Sequence, residues 1–331
     1  MPRPKLLPIL LSVGLLASAR GAEVHPLAIV IHGGAGVIDP AKMTPERAAG
    51  YRAGLAAALD AGYEVLERGG SSLDAVTAAV RIMEDDPEFN AGKGAVLNHE
   101  GDAELDAAIM DGPGARAGAV AAVRHVKNPI ELARLVMERS PHVLLVGDGA
   151  EEFALEQGVV LVPRSYFRVP SRIRELEEAR HAEEARLKAS PSGGGTVGAV
   201  ALDHAGNLAA ATSTGGITNK RRGRVGDSPL IGAGTYASGD CAVSGTGQGE
   251  YFIRGVIAYD ICALVAYRHL TLAQALHEAI HEKLAKSGGD GGAIALDASG
   301  AIAMDFNSVG MFRAARDSSG RREIAMYRDA K

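Results

Sequence analysis

Thr196 stands at a change of character in the chain: Ser192-Gly193-Gly194-Gly195 precede it, and the alternating apolar run Val197-Gly198-Ala199-Val200-Ala201-Leu202-Asp203 follows. Scission of the Gly195–Thr196 bond would make Thr196 a chain start, with a hydroxyl and a free α-amine on one residue. An α-amine titrates at about 7.7–8.0, so near neutrality it can take the hydroxyl proton and serve as the nucleophile's own base. Taken locally, the same residues also suit a flexible glycine linker ahead of an ordinary strand.

Further segments hold what acyl transfer requires. Thr214, in Thr212-Ser213-Thr214-Gly215-Gly216, offers a second hydroxyl at a strand end. Arg224 and Asp227, in Arg222-Gly223-Arg224-Val225-Gly226-Asp227-Ser228-Pro229, match the carboxylate and ammonium of an amino-acid head group. Ser244-Gly245-Thr246-Gly247-Gln248-Gly249-Glu250 precedes an apolar helical pattern, so its N–H groups suit an oxyanion hole. Each has a duller explanation: a hairpin end, a surface ion pair, a glycine-rich helix start.

The elements that must position these residues follow from periodicity. Leu27 to Ile31 is a short apolar strand running into His32-Gly33-Gly34-Ala35-Gly36, without the Gly-Lys-Ser/Thr ending of a phosphate loop. His32 is expected to be scaffolding. Thr44-Pro45 opens a helix through Tyr51, Leu55, Leu59, Tyr63 and Leu66, and Ser71 with Asp74 caps the next. That helix runs into Glu84-Asp85-Asp86-Pro87-Glu88-Phe89-Asn90-Ala91-Gly92, a solvated acidic loop or a hard-cation loop. Val96 to Met110 suggests strand, turn and strand. Residues 171–189 are Arg/Glu-rich, with helical propensity but almost no apolar face, so a solvent-exposed helix or a mobile segment is expected there, with 170–195 a linker by composition. Val197–Thr214 and Ala293–Asn307 are matching hairpin patterns, which suggest a common sheet, and Phe252–Tyr267 and Leu272–Leu284 are apolar helices between them. Strands and helices in both halves predict an α/β chain of sheets covered by helix layers.

Composition bounds the partners. With 331 residues, 47% hydrophobic, 23% charged and a formal charge of −5, the chain has no basic surplus for nucleic acid or an anionic membrane. Arg3 and Lys5, the apolar Leu6 to Ala17, and small residues at Ala19 and Ala22 suggest a signal peptide over 1–22, cleaved after Ala19 or Ala22. The mature product is then expected to be exported, periplasmic or secreted. Cys241 and Cys262 are expected to remain unpaired, Cys262 as a buried thiol in a helix.

Taken together, Gly195-Thr196-Val197-Gly198-Ala199-Val200-Ala201, Thr212 to Gly216, Gly223 to Pro229 and Gly245-Thr246-Gly247 resemble the isoaspartyl peptidase/plant-type asparaginase family of N-terminal nucleophile hydrolases. Ile31 to Gly36, Phe89-Asn90-Ala91-Gly92 and Glu104-Leu105-Asp106-Ala107 extend the resemblance over nearly the whole mature chain. It implies a four-layer αββα sandwich, made as a precursor that cuts itself before Thr196 into an α chain, 23–195, and a β chain, 196–331. It also implies cleavage of isoaspartyl dipeptides and of asparagine without a catalytic cofactor. Carried over residue by residue, Thr196 is the nucleophile and Thr214 tunes it. Arg224 holds the α-carboxylate and Asp227 the α-amine, Thr246 and Gly247 stabilise the oxyanion, Gly249 shapes that loop, and Asn90 lies near the nucleophile. A structural sodium would take main-chain oxygens of Met83, Glu84, Asp86, Phe89, Ala91 and Lys93. The assembly implied is a dimer of cleaved heterodimers. Asp305-Phe306-Asn307-Ser308-Val309-Gly310-Met311 departs from the family pattern. Glycosylasparaginases share Arg224-Val225-Gly226-Asp227, so that activity is the second reading; an exported amino-acid binder without turnover is the third.

Overall fold

The computed structural model describes residues 25–36, 40–185 and 195–328. Strand β1 (Ala28–Gly36) shows how the layers arise. Its Ile29 and Ile31 share a cluster with Leu55 and Leu59 of helix α1 (Pro45–Glu67), whereas Ala28 and Val30 share another with Val200 and Ile294. Period-2 alternation with both faces apolar places the strand between two covering layers.

The first half continues with α2 (Ser72–Asp85), β2 (Leu105–Asp111), β3 (Arg116–Val123), α3 (Pro129–Arg139), β4 (Leu144–Val146), α4 (Gly147–Glu156) and α5 (Pro170–Glu184). Thr44 caps α1 by accepting the Arg47 N–H, and Ser71 with Asp74 forms the expected capping box of α2. After Thr196 come β5 (Val197–Leu202), β6 (Leu208–Thr214), β7 (Thr235–Ala237), β8 (Cys241–Gly247), α6 (Gly249–Gly255), α7 (Ile257–Arg268) and α8 (Leu272–His277). Helix α8 passes into a π-helix, Glu278–Leu284, before β9 (Gly291–Asp297), β10 (Ile302–Phe306), β11 (Gly310–Asp317) and β12 (Arg322–Tyr327).

Eight strands form one sheet in the order β12-β11-β1-β5-β6-β2-β3-β4, and four form a second, β10-β9-β8-β7. Helices α1 to α3 cover the outer face of the large sheet, α7 and α8 cover that of the small one, and Val30, Val200, Ile294 and Leu296 lie among the side chains between the sheets. This is the four-layer αββα sandwich. β1 lies between β11 and β5, antiparallel to both, so the two halves share one sheet and neither buries its core alone.

Several expectations are corrected. The two similar hairpins, β5–β6 and β9–β10, lie in different, facing sheets, because local alternation sets a strand's faces and not its sheet. Val96 to Glu104 contains no strand; only Leu105–Asp111 does. The apolar helix from Phe252 is broken at Val256, whose φ of 48° ends α6 and starts α7. Of the two readings of 171–189 the helix is the one seen, as α5, but it is anchored rather than loose: Arg172 donates to the carbonyls of Gly94 (2.6 Å) and Glu88 (2.9 Å); residues 186–194 lie outside the described residues. Cys241 and Cys262 form a disulfide with a Cα separation of 5.6 Å. The buried face of α7 packs on β8, which brings the helical cysteine against the strand one; helical periodicity alone does not reveal that partner.

Candidate active site

Thr196 enters the large sheet as the residue before β5, and it is buried. Register places Val197 opposite Ser213 on β6, which carries Thr214 to the same sheet end. The Thr196 hydroxyl donates to Thr214 Oγ1 at 3.1 Å. Thr214 Oγ1 also accepts the Gly216 N–H at 2.9 Å and lies 3.5 Å from the Gly195 carbonyl oxygen. Asn90 Nδ2 donates to that same carbonyl at 2.6 Å and to the Gly216 carbonyl at 2.7 Å. The Val96 N–H donates to Asn90 Oδ1 at 2.8 Å, which fixes the orientation of the amide. Asn90, the faintest of the carried-over residues, thus holds the carbonyl on which the scission would occur.

Beneath the nucleophile lies a buried polar chain that periodicity does not reveal. His32 Nδ1 is 2.8 Å from the Thr196 carbonyl and must donate, so Nε2 accepts from the Ser244 hydroxyl at 2.9 Å. Burial pushes the His32 pKa down to about 3, against the opposing bond to Thr196, so the ring stays neutral. Ser244 meets Thr212 at 2.7 Å, Thr235 donates to Thr212 at 2.6 Å, and Thr235 Oγ1 lies 2.9 Å from the Ser228 carbonyl. The chain links the nucleophile's backbone to the loop bearing Asp227. Gly198 has no side-chain alternative here: a Cβ would fall 2.0 Å from Ser244 Oγ and 2.5 Å from His32 Nε2. Gly34, at φ +117°, lets the β1 end approach the scissile residue, since its Cβ would lie 2.6 Å from Gly195 Cα.

Arg224 and Asp227 form the other wall. The Arg224 guanidinium is engaged by the Glu250 carboxylate through two bonds of 3.0 Å. Asp227 is buried, its Oδ2 has no partner among the described residues, and burial raises its pKa to about 7. Gly249 sits against both side chains. Upstream, buried Lys220 donates to the Glu104 carbonyl at 2.8 Å, and the Glu104 carboxylate accepts the Gly223 N–H at 3.1 Å, which fixes the approach to Arg224. Burial lowers the Lys220 pKa, and Asp106 and Glu104 oppose this.

Gly195, Thr196, Thr214, Gly216, Arg224, Asp227 and Gly247 line one small pocket of about 20 Å³. Such room suits about one water rather than an amino acid. Gly195 is itself part of the wall, so the uncut chain lines its own pocket. The Thr246 hydroxyl is turned away, accepting the Ala35 N–H at 3.0 Å, while Gly247 faces the pocket.

The sequence-predicted cation loop, 83–93, lies beside this site. Met83 and Glu84 are buried at the end of α2, and Glu84 Oε1 accepts from Ser213 (2.6 Å) and Ile130 (3.0 Å). Asp86 accepts the Glu88 N–H, Lys93 lies over the Tyr166 ring, and the carbonyls of Pro87 and Phe89 converge beneath Gly94. Converging main-chain oxygens suit a hard cation, although the Phe89 and Ala91 carbonyls also accept the N–H groups of Ala91 and Gly94.

A family model described as Asparaginase matches residues 25–326. The chain is 54% identical to the isoaspartyl peptidase of Salmonella typhimurium over 86% of this chain and 94% of that protein. It is 51% identical to the isoaspartyl peptidase of Escherichia coli over 86% and 91%. It is 44% identical to the isoaspartyl peptidase/L-asparaginase of Mus musculus over 89% and 92%. These relatives correct the expectation of export to the periplasm or medium: the likeness is to isoaspartyl peptidases found in bacteria and eukaryotes alike. The leader reading of 1–22 falls on residues outside both the family match and the described structure. No helix among the described residues is long and apolar enough to cross a membrane.

Proposed function

The chain belongs to the asparaginase family of N-terminal nucleophile hydrolases, and on that premise we propose that it cleaves itself before Thr196 and then hydrolyses β-aspartyl amide bonds. The substrates are isoaspartyl dipeptides and asparagine, with aspartate as a product of each. One observation supports this above all: Thr196, Thr214, Arg224 and Asp227 meet around a single pocket that Gly195 also lines.

In the maturation step the Thr196 oxygen attacks the Gly195 carbonyl carbon. The developing oxyanion lies against Asn90 Nδ2 and Thr214, the donors that now hold that oxygen. Collapse breaks the C–N bond, the Thr196 nitrogen takes a proton, and the acyl group rests on Thr196 as an ester. Water hydrolyses the ester, leaving Gly195 as a carboxylate and Thr196 with a free amine. Removal of Gly195 opens the pocket.

In turnover the amine accepts the hydroxyl proton and Thr196 Oγ1 attacks the β-carbonyl of the substrate. Arg224 binds the α-carboxylate in place of Glu250, and ionised Asp227 binds the α-ammonium. The ammonium supplies the partner that buried Oδ2 lacks, which offsets the cost of burying its charge. The amine returns its proton to the leaving group, ammonia or an amino acid, and water then releases aspartate from the ester. Gly247, which lines the pocket, completes the oxyanion hole; Thr246 holds that strand end through the Ala35 N–H, and Gly249 keeps the loop close to both head-group residues. Main-chain oxygens of Met83, Glu84, Asp86, Phe89, Ala91 and Lys93 would hold a structural sodium that braces the loop bearing Asn90. The cleaved heterodimers pair; exposed Val143, Leu144 and Val146 along edge strand β4 support a packed interface.

The glycosylasparaginase and amino-acid-binder readings are not favoured, since the relatives named above are isoaspartyl peptidases. Parallel product assays with a β-aspartyl dipeptide, asparagine and glycosylated asparagine test the proposal. Aspartate released from the first two supports it; turnover of glycosylated asparagine alone overturns it.

A further inference from the structure

Far from the pocket in chemistry, although only two strands across the small sheet, two imidazoles and a carboxylate converge. We propose that His277, His281 and Asp305 form a binding site for a divalent late transition-metal ion of the Zn²⁺ type. The two histidines are four residues apart where α8 passes into the π-helix, which puts them on one side of the helix with their rings stacked at 4.4 Å. Asp305 rises from the adjoining strand β10. His277 Nδ1 lies 3.1 Å and His281 Nε2 3.0 Å from the same oxygen, Asp305 Oδ2, and one ligand atom from each residue lies within 4.8 Å of the others.

That spacing is what an ion needs. Donors about 2.0–2.2 Å from a common metal stand roughly 2.8–3.6 Å apart across octahedral to tetrahedral angles. Both nitrogen-to-oxygen spacings, 3.1 and 3.0 Å, fall in that range, so the ion would replace the two ring protons now directed at one oxygen. The outer shell is also in place: Asp305 Oδ1 accepts the Phe306 N–H at 2.8 Å and the Arg328 guanidinium at 3.1 Å, which leaves Oδ2 to ligate. Two imidazoles with one carboxylate select Zn²⁺, Ni²⁺ or Co²⁺ over Mg²⁺ or Ca²⁺, which prefer all-oxygen shells.

Three protein ligands leave at least one position open. Two of the three ligands, His277 and Asp305, line, together with Gln274, Glu278, Glu282 and Arg321, a groove of about 1130 Å³ with room for water or a small anion on the metal. Asp305 pairs with Ala293 and Ala293 with Gly245, next to Thr246. The cluster occupies the helix-covered side of that sheet, whereas the Thr246 hydroxyl points to Ala35 between the sheets. Occupancy thus joins the helical layer to β10 without touching the hydrolytic residues.

The test uses full-length, tag-free protein stripped with a chelator and titrated with Zn²⁺ by calorimetry, with bound metal counted after dialysis. One Zn²⁺ per chain is expected. His277→Ala and His281→Gln each weaken binding by at least about tenfold. Zn²⁺ raises the thermal midpoint of the wild type but not of the variants, and aspartate release by metal-free His277→Ala equals that of the metal-free wild type. Absence of stoichiometric binding, equal binding of Mg²⁺, or unchanged affinity in both variants overturns the site; His277 is exposed, so its truncation leaves the fold intact.

Discussion

The two walls of the pocket are finished to different degrees. On the nucleophile side the side chains are spent within the chain: Thr196 on Thr214, Thr214 on Gly216, and Asn90 on Gly195, Gly216 and Val96. On the head-group side Arg224 is held by exposed Glu250 and Asp227 Oδ2 is unpaired in a buried setting. The first wall is complementary to the chain's own scissile bond; the second leaves Asp227 Oδ2 unpartnered and holds Arg224 with a carboxylate that a substrate's can replace. One pocket can thus serve maturation with one wall and substrate selection with the other.

Substitutions should separate the walls. Thr196→Ala removes the nucleophile of both reactions, so a single uncut band and a loss of at least about 10⁴-fold in kcat are expected, read by denaturing gel and aspartate release. Asn90→Ala removes a donor to the scissile carbonyl and should slow self-cleavage by about 10²–10³-fold in a time course on fresh precursor. If it leaves cleavage unchanged but raises KM, the division between the walls is wrong. Arg224→Ala should raise KM for asparagine by about 10²-fold, the value of a charge-assisted double bond, while leaving cleavage intact.

Asp227 predicts a pH effect with a definite sign. Burial raises its pKa to about 7, and the ammonium of the substrate needs the ionised form, so binding is lost as pH falls through 7. The terminal amine loses its base form near the same range, at about 7.7–8.0. Together they make kcat/KM fall more than tenfold per unit below pH 7, and Asp227→Asn should leave only the amine's tenfold limb. The smallest effect concerns Glu250. Glu250→Gln releases Arg224 from its internal carboxylate and should lower KM about two- to fivefold, within the range of a partly exposed ion pair.

Legibility followed the range of the interactions. Thr196 stood out because a glycine run meets a buried strand within a few residues, and Arg224 with Asp227 because their charges suit a free amino acid. The capping residues Thr44 and Ser71 were equally local, and each caps its helix. What was not legible needed distant partners, and even His32, the expected scaffold, showed neither of its own locally. His32 meets Thr196 and Ser244 across 164 and 212 residues, and the Cys241–Cys262 bond depends on how α7 lies on β8. Glu250 resembled any helix-opening acid until Arg224 came beside it. The hairpins β5–β6 and β9–β10 looked alike because alternation carries no record of the facing sheet.

Intact-mass spectrometry of the freshly purified, fully active protein tests the central claim most directly. Two polypeptides meeting at Gly195 and Thr196 are predicted, with Thr196→Ala giving only one mass and no turnover. Full aspartate-releasing activity in a sample that contains the unbroken chain alone would contradict the account.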